Sequence, residues 1–235
     1  MALANVGYFR SLTWGDPRIT SLESQVAVPV MGEHPVEMGM VGQEAELARR
    51  LAASPCYRRD FAAAFPQAKG QITMTTVTQA LAAFERTLVS FDSPYDRREP
   101  MSPSARRGQA LFNGKDLNCA SSHAGPLFTD AGGRRAGFHD IGLPRAASDL
   151  GRSEITGKAA DDGRFRTPSL RNVELSAPYL HDGSAATLAQ AIKAHAGAHR
   201  TTDAQIADLI AFLVTLTDRT FVADPRFSLP KACRG

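Results

Sequence analysis

The sequence predicts a mainly α protein with long ordered loops, and three observations support this fold class. Several segments place apolar residues at helical spacing between helix-capping residues, whereas the alternation typical of strands is almost absent. Residues 124–178 are rich in glycine, proline, aspartate and arginine without apolar periodicity, and long ordered loops of this kind are usually functional. With 235 residues, 43% of them hydrophobic, the chain can bury a sizeable core.

Two helices are predicted in the first half of the chain. The segment GQEAELARRLAAS consists mostly of good helix formers and places Leu47 and Leu51 one turn apart. A second helix is predicted from Val77 to the segment DSPYD, because its apolar residues step by four and three along Leu81, Phe84, Leu88 and Phe91.

Two more helices are predicted in the second half. Ser102 followed by Pro103 is a good helix start, and the segment ARRGQALFNG runs to a stop at Gly114. The segment TTDAQIADLIAFLVTLT begins with a Thr/Asp cap, and its apolar residues share one face, which predicts a core helix: Ile206, Leu209, Ile210, Leu213 and Leu216. The proline-broken tail after Thr217 is expected to lie over the rest of the chain.

Composition excludes several classes of protein. The net charge is only +3, and the basic residues are scattered, which argues against a nucleic-acid partner. The chain has no apolar run long enough to span a membrane, and its start, MALANVGYFR, lacks the features of a signal peptide. Three cysteines, Cys56, Cys119 and Cys233, show no repeated spacing, which argues against a disulfide framework and a four-cysteine zinc site.

The stretch CASSH at residues 119–123 is the strongest chemical signal in the chain. It reads as the haem-attachment motif Cys-x-x-Cys-His with Ser122 in place of the second cysteine. Cys119 is able to form one thioether with a haem vinyl group, whereas a serine hydroxyl is not a comparable nucleophile. His123 is a candidate iron ligand, although a lone loop histidine is more often a surface residue. The motif therefore predicts a haem held by one thioether, or none at all.

The neighbouring motifs resemble a known family. GQALFNGKDLNCASSHAGPLFTD, FHDIGL, DDGRFRTPSLRNVELSAPYLHDGSAATLAQAI and TDAQIADLIAFLVTLT follow one another as in bacterial dihaem cytochrome c peroxidases and their MauG-type relatives. The resemblance covers residues 1–217 and implies cytochrome c-like haem domains. Residues 1–98 would be the remainder of the N-terminal peroxidatic domain without its attachment motif, 99–217 the C-terminal domain, and 218–235 a tail.

The resemblance implies roles around the C-terminal haem. His123 would be the proximal ligand, and a gapless count from PYLHDG places His195 where the peroxidases have methionine and the MauG type has tyrosine. Alternatively, a one-residue slip within AHAGAH would leave His195 as a polar residue on a helix face. His181 would lie near the haem, and Arg166 and Arg171 would pair with its propionates, since guanidinium matches carboxylate geometry.

Residues near the N-terminus resemble the peroxide-binding side of the family's first haem. Trp14 would relay electrons between the two haems, and Gln25 and Pro29 would line the distal pocket. Glu37 in PVEMG would move protons during cleavage of the O–O bond. Each of these residues could also be an ordinary core or loop residue.

The family also binds a calcium ion between its haems, partly through backbone carbonyls. The segment SAPYLHDG matches that region, which implies the carbonyl oxygens of Ser176 and Pro178 as calcium ligands. Carbonyl oxygens are ligands that suit a hard cation.

Two functions follow from these observations. The resemblance implies a periplasmic oxidoreductase that reduces hydrogen peroxide or, as in the MauG type, oxidises a partner protein, with electrons passing through a C-terminal haem c. Its partners would be a small electron-donor cytochrome or cupredoxin, or a protein substrate. The segments LANVGYFRSLTWGDPR and ALAAFERTLVSFDSPYDR favour the MauG type.

The alternative function is a non-catalytic haem-binding or electron-transfer remnant. Ser122 favours it, as does the lack of a Cys-x-x-Cys-His motif before Trp14, where the family carries its first attachment site. The same observation would also fit a longer, exported precursor whose start lies upstream of Met1.

Overall fold

The computed structural model describes residues 1–33, 36–133, 137–144, 146, 148–195 and 197–228. It is mainly helical, as predicted, with helices α1 Leu22–Met31, α2 Glu44–Ala52, α3 Pro55–Ala64, α4 Met74–Thr87, α5 Pro103–Asn113, α6 Ser153–Thr156, α7 Leu188–Ala194, α8 Asp203–Val214 and α9 Arg219–Val222. Two short antiparallel strands, β1 Phe138–His139 and β2 Phe165–Arg166, pair Phe138 with Arg166 and His139 with Phe165. Within these described residues no helix is long and apolar enough to cross a membrane.

The chain divides into two compact units. Unit 1 comprises residues 1–19 and 88–223, and unit 2 comprises residues 20–87 with the described residues 224–228. Unit 1 includes the N-terminal segment because Asn5 exchanges two hydrogen bonds with the backbone of Ser90, at 2.9 and 2.8 Å. The family resemblance implies domain boundaries after residues 98 and 217, which differ from the boundaries of these two units. Those domain boundaries stay a prediction.

Helices α5 and α8 form the framework of unit 1. Ser102 caps α5 through the backbone N–H of Ala105, and Thr202 caps α8 in a capping box with Gln205. Aromatic residues fill the space beside the two helices, with the ring centroids of Phe112 and Phe212 5.2 Å apart. The buried core consists of Phe112, Phe128, Val173, Leu209, Phe212, Leu213 and Leu216. The predicted apolar face of α8 is therefore the face that packs into this core.

Helix α4 of unit 2 differs from its predicted form. It ends at Thr87, and Leu81 and Phe84 are each 43% exposed rather than buried. The buried face carries Val77, Thr78, Ala82 and Glu85 instead. Helix α1 packs against α4, and the buried residues of α1 are Leu22, Val26 and Val30.

Hydrogen bonds to backbone carbonyls hold together the described parts of the loops between residues 124 and 178. The hydroxyl of Thr129 donates to the carbonyl of Thr167 at 2.7 Å, and the hydroxyl of Ser169 donates to that of Leu127 at 2.6 Å. Such contacts replace the ladders of regular secondary structure and satisfy buried carbonyls. They fix the loops as one wall of the site described next.

Candidate functional site

A cavity of about 420 Å³ lies within unit 1, between the loops and the core helices. Cys119 and Ser122 enter its wall from the short 3₁₀ turn after α5, and His123 follows directly. His195 enters at the end of α7. Apolar side chains complete the wall: Leu117, Ile141, Leu143, Phe165, Leu170, Val173, Leu180, Leu188, Ile192, Leu209 and Leu213.

His123 is held in one orientation and one tautomer. Its ring Nδ1 lies 3.2 Å from the carbonyl oxygen of Phe128. Because a carbonyl oxygen only accepts, Nδ1 carries the proton and Nε2 keeps a lone pair. Burial, with a smaller contribution from the charge of His195, lowers the pKa of His123 to about 4. The imidazole is therefore neutral at pH 7, the form that coordinates metals.

His195 is constrained in the same way. It is the residue directly after α7, and its Nδ1 lies 2.9 Å from the carbonyl oxygen of Ala191. Nδ1 therefore donates to this carbonyl, and Nε2 is the ring nitrogen left for a ligand. Its place in the cavity wall beside His123 supports a ligand role over a polar position on an outer helix face.

Cys119 and Ser122 line the same cavity three residues apart. Cys119 is a free, half-buried thiol, and burial raises its pKa. The backbone N–H of His123 donates to the Cys119 carbonyl at 3.0 Å, so the turn fixes the spacing between thiol and imidazole. The attachment motif is thus folded and faces the cavity, with one sulfur where a complete motif has two.

Arg166 is a buried cation in the cavity wall. It is 4% exposed, and its guanidinium donates to the carbonyls of Thr13 and Thr167 and to the sulfur of Met1. No carboxylate among the described residues lies within ion-pair distance of it. Burial lowers the pKa of Arg166 to about 10, against the opposing charge of Asp130. A buried guanidinium without an ion pair suits a ligand that brings its own carboxylate.

Arg171 differs from its predicted role. It does not line the cavity, and its guanidinium donates to both carboxylate oxygens of Asp96, at 2.8 and 2.7 Å, and to the carbonyl of Pro126. Burial acts to raise the pKa of Asp96, but hydrogen bonds from Arg171 and Ser93 lower it to about 2. The charge of Arg171 is therefore already neutralised within the protein, and it is not available to a propionate in this arrangement.

Trp14 and His181 lie side by side in the cavity wall. Their ring centroids are 6.4 Å apart at a steep angle, and His181 stacks on Phe165 at 3.6 Å. Nε2 of His181 lies 2.7 Å from a carboxylate oxygen of Asp149. The backbone carbonyl of Trp14 accepts from the N–H of Arg166 at 2.8 Å. The structure thus brings three residues singled out in the sequence together on this wall: Trp14, Arg166 and His181.

A second histidine–carboxylate pair at this cavity was missed by the sequence reasoning. Nε2 of His139 lies 2.6 Å from an oxygen of Asp130, and His139 lines the cavity. A Cβ atom at position 137 would lie 1.7 Å from the Asp130 carboxylate, so a larger residue there would have to displace that side chain. The segment FHDIGL carried the signal, because it places a histidine between Phe138 and Asp140 within a polar loop.

The donor set of the cavity fits an iron porphyrin. It offers one thiol, two imidazoles whose Nδ1 atoms lie at backbone carbonyls, a guanidinium without an ion pair among the described residues, and apolar walls. Thioether attachment, axial imidazole ligation and propionate pairing require these groups. No residue of unit 2 is needed to complete this set.

The residues proposed for the peroxide side lie in unit 2. Gln25 and Pro29 are one turn apart on α1, so they share a face of that helix. Glu37 is exposed in the bend after α1, where the N–H of Met38 donates to the Pro29 carbonyl at 3.0 Å. Their catalytic roles stay a prediction.

The segment predicted to bind calcium supplies few ligands by itself. Ser176 is half-buried and Pro178 is exposed, and two backbone carbonyls fall short of the six to eight oxygen ligands that calcium takes. In the part of the chain that the structure describes, no cluster of three His, Cys, Asp or Glu residues could hold a metal ion. The calcium role of Ser176 and Pro178 stays a prediction.

The fold and the site define a class: a mainly α, cytochrome c-like protein with a haem-attachment turn. A family model described as di-haem cytochrome c peroxidase matches residues 1–99. The methylamine utilization protein MauG of Methylophilus methylotrophus is 39% identical over 80% of this chain and 55% of its own length. A cytochrome-c peroxidase of Denitromonas iodatirespirans is 30% identical over 95% of this chain and 70% of its own length.

A solved structure agrees with these similarities. A MauG-like protein associated with microbial copper homeostasis superposes with a TM-score of 0.85 at 36% identity, covering 97% of this chain and 78% of the other. The chain belongs to the dihaem cytochrome c peroxidase family, which includes MauG. It spans between half and two thirds of the length of the first curated relatives that it matches.

Proposed function

We propose that unit 1 binds one haem c through a single thioether from Cys119, with His123 and His195 as axial ligands and Arg166 facing a propionate. One observation carries the proposal. Both imidazoles lie in the same cavity, and a backbone carbonyl holds the Nδ1 proton of each, which leaves each Nε2 to a metal. Hydrogen bonds of this kind, from the ring nitrogen that does not bind the metal, orient metal-ligating histidines in proteins generally.

Bound in this way, the haem would supply reversible one-electron chemistry. Two imidazoles would occupy both axial positions, which suits electron transfer rather than peroxide binding and favours the ferric state over a histidine–methionine pair. The protein's part is to exclude water with the apolar wall, to neutralise a propionate with Arg166, and to place Trp14 beside the cavity.

We infer that this haem site serves an oxidoreductase of the dihaem peroxidase type. The reaction would be reduction of hydrogen peroxide or, as the MauG relatives suggest, oxidation of a partner protein. Trp14 would relay electrons, and Gln25, Pro29 and Glu37 would serve the peroxide side. The electrons would come from a small donor cytochrome or cupredoxin. A disulfide at Cys56 supports a periplasmic location, because disulfides persist in oxidising compartments.

One observation favours a second function. Ser122 removes one of the two thioethers, so haem loading by a maturation system is expected to be inefficient. Without haem, the chain would be a non-catalytic remnant. The folded turn and the neutral His123 favour the haem-binding function over this alternative.

A pyridine haemochrome spectrum and an intact mass on the chain co-expressed with a cytochrome c maturation system test the proposal. We expect a mass gain of one haem and a spectrum typical of one thioether. His123→Ala should abolish loading, and His195→Ala should change the spin state while keeping the thioether. His199→Ala serves as the matched control.

Two results would count against the proposal. An unmodified mass without a Soret band in the wild type would remove the haem site altogether. A His195→Ala spectrum identical to that of the wild type would exclude His195 as the sixth ligand and leave the rest of the site intact.

A further inference from the structure

The pair of His139 and Asp130 is a polar group of the cavity that the proposed function does not use. His139 pairs with Phe165 across the ribbon formed by β1 and β2, so the two side chains lie on one face of this ribbon. Both residues line the cavity. Nε2 of His139 lies 2.6 Å from a carboxylate oxygen of Asp130. The ring is therefore held at the cavity by one of its two nitrogens.

The second nitrogen of His139 is open to a ligand. The His139 side chain is 41% exposed, and its Nδ1 makes no hydrogen bond with the described residues. His181, which lines the same cavity, differs in this respect, because its side chain is only 10% exposed and is bound to Asp149. The other two histidines of the cavity wall are the ones proposed to bind iron. His139 is thus the cavity histidine with a free side.

The charges of this wall favour a second positive group. A haem carries two propionates, but among the described residues Arg166 is the only lysine or arginine that lines the cavity. Asp130 adds a negative charge that acts on both Arg166 and His123. One of its carboxylate oxygens is buried without a hydrogen-bond partner among the described residues. Since like charges repel strongly where water is excluded, a second propionate needs a cation between itself and Asp130.

We propose that His139, whose ring Asp130 holds in place, binds the second haem propionate. The inference rests on the proposed function, in which Arg166 faces the first propionate. Nδ1 of His139 would donate to the propionate while Nε2 donates to Asp130, so the ring would be an imidazolium with both nitrogens protonated. Charge-assisted hydrogen bonds of this kind are stronger than neutral ones. The ribbon of β1 and β2 would then supply one cation to each propionate, and the site would select a porphyrin with two free carboxylates.

Non-covalent binding to the full chain carrying Cys119→Ala tests this contact with two probes. Haemin has both propionates free, whereas its dimethyl ester has neither. In Soret titrations, His139→Phe should lower the affinity for haemin roughly tenfold, because a hydrogen bond to a charged group is lost, and leave the affinity for the ester unchanged. His199→Phe is the control and should change neither affinity, since His199 is exposed and does not line the cavity.

The possible results separate this inference from the proposed function. An equal loss of affinity for both probes would mean that His139 only packs against the porphyrin. Unchanged haemin affinity in His139→Phe would mean that no propionate contacts the ring. Either result overturns the role of His139 and leaves the haem site in place. A Cys119→Ala chain that binds no haemin would contradict the haem site itself, and this role with it.

A second measurement leaves His139 intact. Arg166→Met in the Cys119→Ala chain should still bind haemin about tenfold more tightly than the dimethyl ester, because His139 still contacts one propionate. The ester is the more apolar probe, so burial alone would favour it instead. Equal affinities for the two probes, or tighter binding of the ester, would show that Arg166 is the sole propionate contact and would refute the proposal.

Discussion

Gly108 of α5 lies so close to Asp208 of α8 that a Cβ atom at position 108 would be 1.9 Å from the Asp208 carbonyl oxygen. The obstacle is main chain, which cannot rotate away as a side chain can. The crossing of these helices sets the position of Leu209 and Leu213, which belong to the cavity wall. The shape of the cavity thus depends on the absence of a side chain at Gly108.

The Gly108→Ala variant should consequently be strongly destabilised. Overpacking in cores costs about 1–3 kcal/mol and sometimes more, and a clash with backbone belongs at the upper end. Urea unfolding of the unloaded chain measures the loss. Gly197→Ala is the control, since the nearest atom to its Cβ is 3.9 Å away, and it should stay within about 0.5 kcal/mol of the wild type. Equal stabilities of the two variants would show that the helices separate freely.

Asp96→Asn should remove a pH-dependent part of the stability. The folded-state pKa of Asp96, about 2, lies below its ordinary value of 3.8, so its ion pair with Arg171 stabilises the fold above pH 4. This contribution is lost as pH falls from about 4 to 2. At pH 7 the variant should lose about 3–5 kcal/mol, because Arg171 is 2% exposed and would be left buried without its partner.

The matched control for that experiment is Asp203→Asn. Asp203 pairs with Lys193, but its side chain is 93% exposed. Exposed pairs contribute about 0–1 kcal/mol, so the control should be nearly neutral at both pH values. Parallel acid unfolding curves for Asp96→Asn and the wild type would refute the assignment to Asp96.

Arg166→Met should affect the unloaded and loaded chains in opposite directions. Without haem, the variant should be as stable as the wild type or more stable, because it removes a buried cation that has no ion pair among the described residues. In a Cys119→Ala background, where haem binds only non-covalently, it should weaken haem binding roughly ten- to hundredfold, as expected for a hydrogen bond to a charged group.

Quenching of Trp14 fluorescence measures that affinity. Trp14 is the only tryptophan of the chain and lines the cavity. Arg164→Met is the control, since Arg164 is exposed next to the same strand. Equal affinities for the two variants would mean that no propionate contacts Arg166.

Ser122→Cys should restore the second thioether. Ser122 lines the cavity beside Cys119 and His123, so the new thiol would enter the wall where a complete motif places it. We expect a higher loaded fraction and a pyridine haemochrome band moved to the two-thioether position. Ser121→Cys is the control, since it places a thiol on the same turn out of the motif's register. A band unmoved by Ser122→Cys would contradict the orientation of this turn.

Local sequence signals predicted part of this fold. Helices α5 and α8 agree with their predictions because their caps and apolar periodicity lie within the helices themselves. The C-terminal end of α4 could not be predicted from the residues near it in the sequence. The carbonyl of Leu88 accepts a hydrogen bond from the N–H of Asn5, more than eighty residues away, and the chain leaves the helix there.

The same distinction applies to the site. Cys119 and His123 are close in sequence and share one turn, so their motif was visible from sequence alone. The ion-pair partner of Arg171 was not visible from sequence alone, because Asp96 lies 75 residues away and pairs with Arg171 only in the folded chain. The predicted propionate role of Arg171 came from family resemblance, which carries no information about such a competing carboxylate.

The protonation of the Cys119 thiol determines how readily this thiol is oxidised before haem is attached. Cys56 is disulfide-bonded, whereas Cys119 is a free thiol with a raised pKa. Oxidation and disulfide exchange proceed through the thiolate, of which a buried, protonated thiol offers little. We therefore expect Cys119 to stay reduced under conditions that oxidise Cys56. The folded chain without haem would then keep the thiol that forms the thioether.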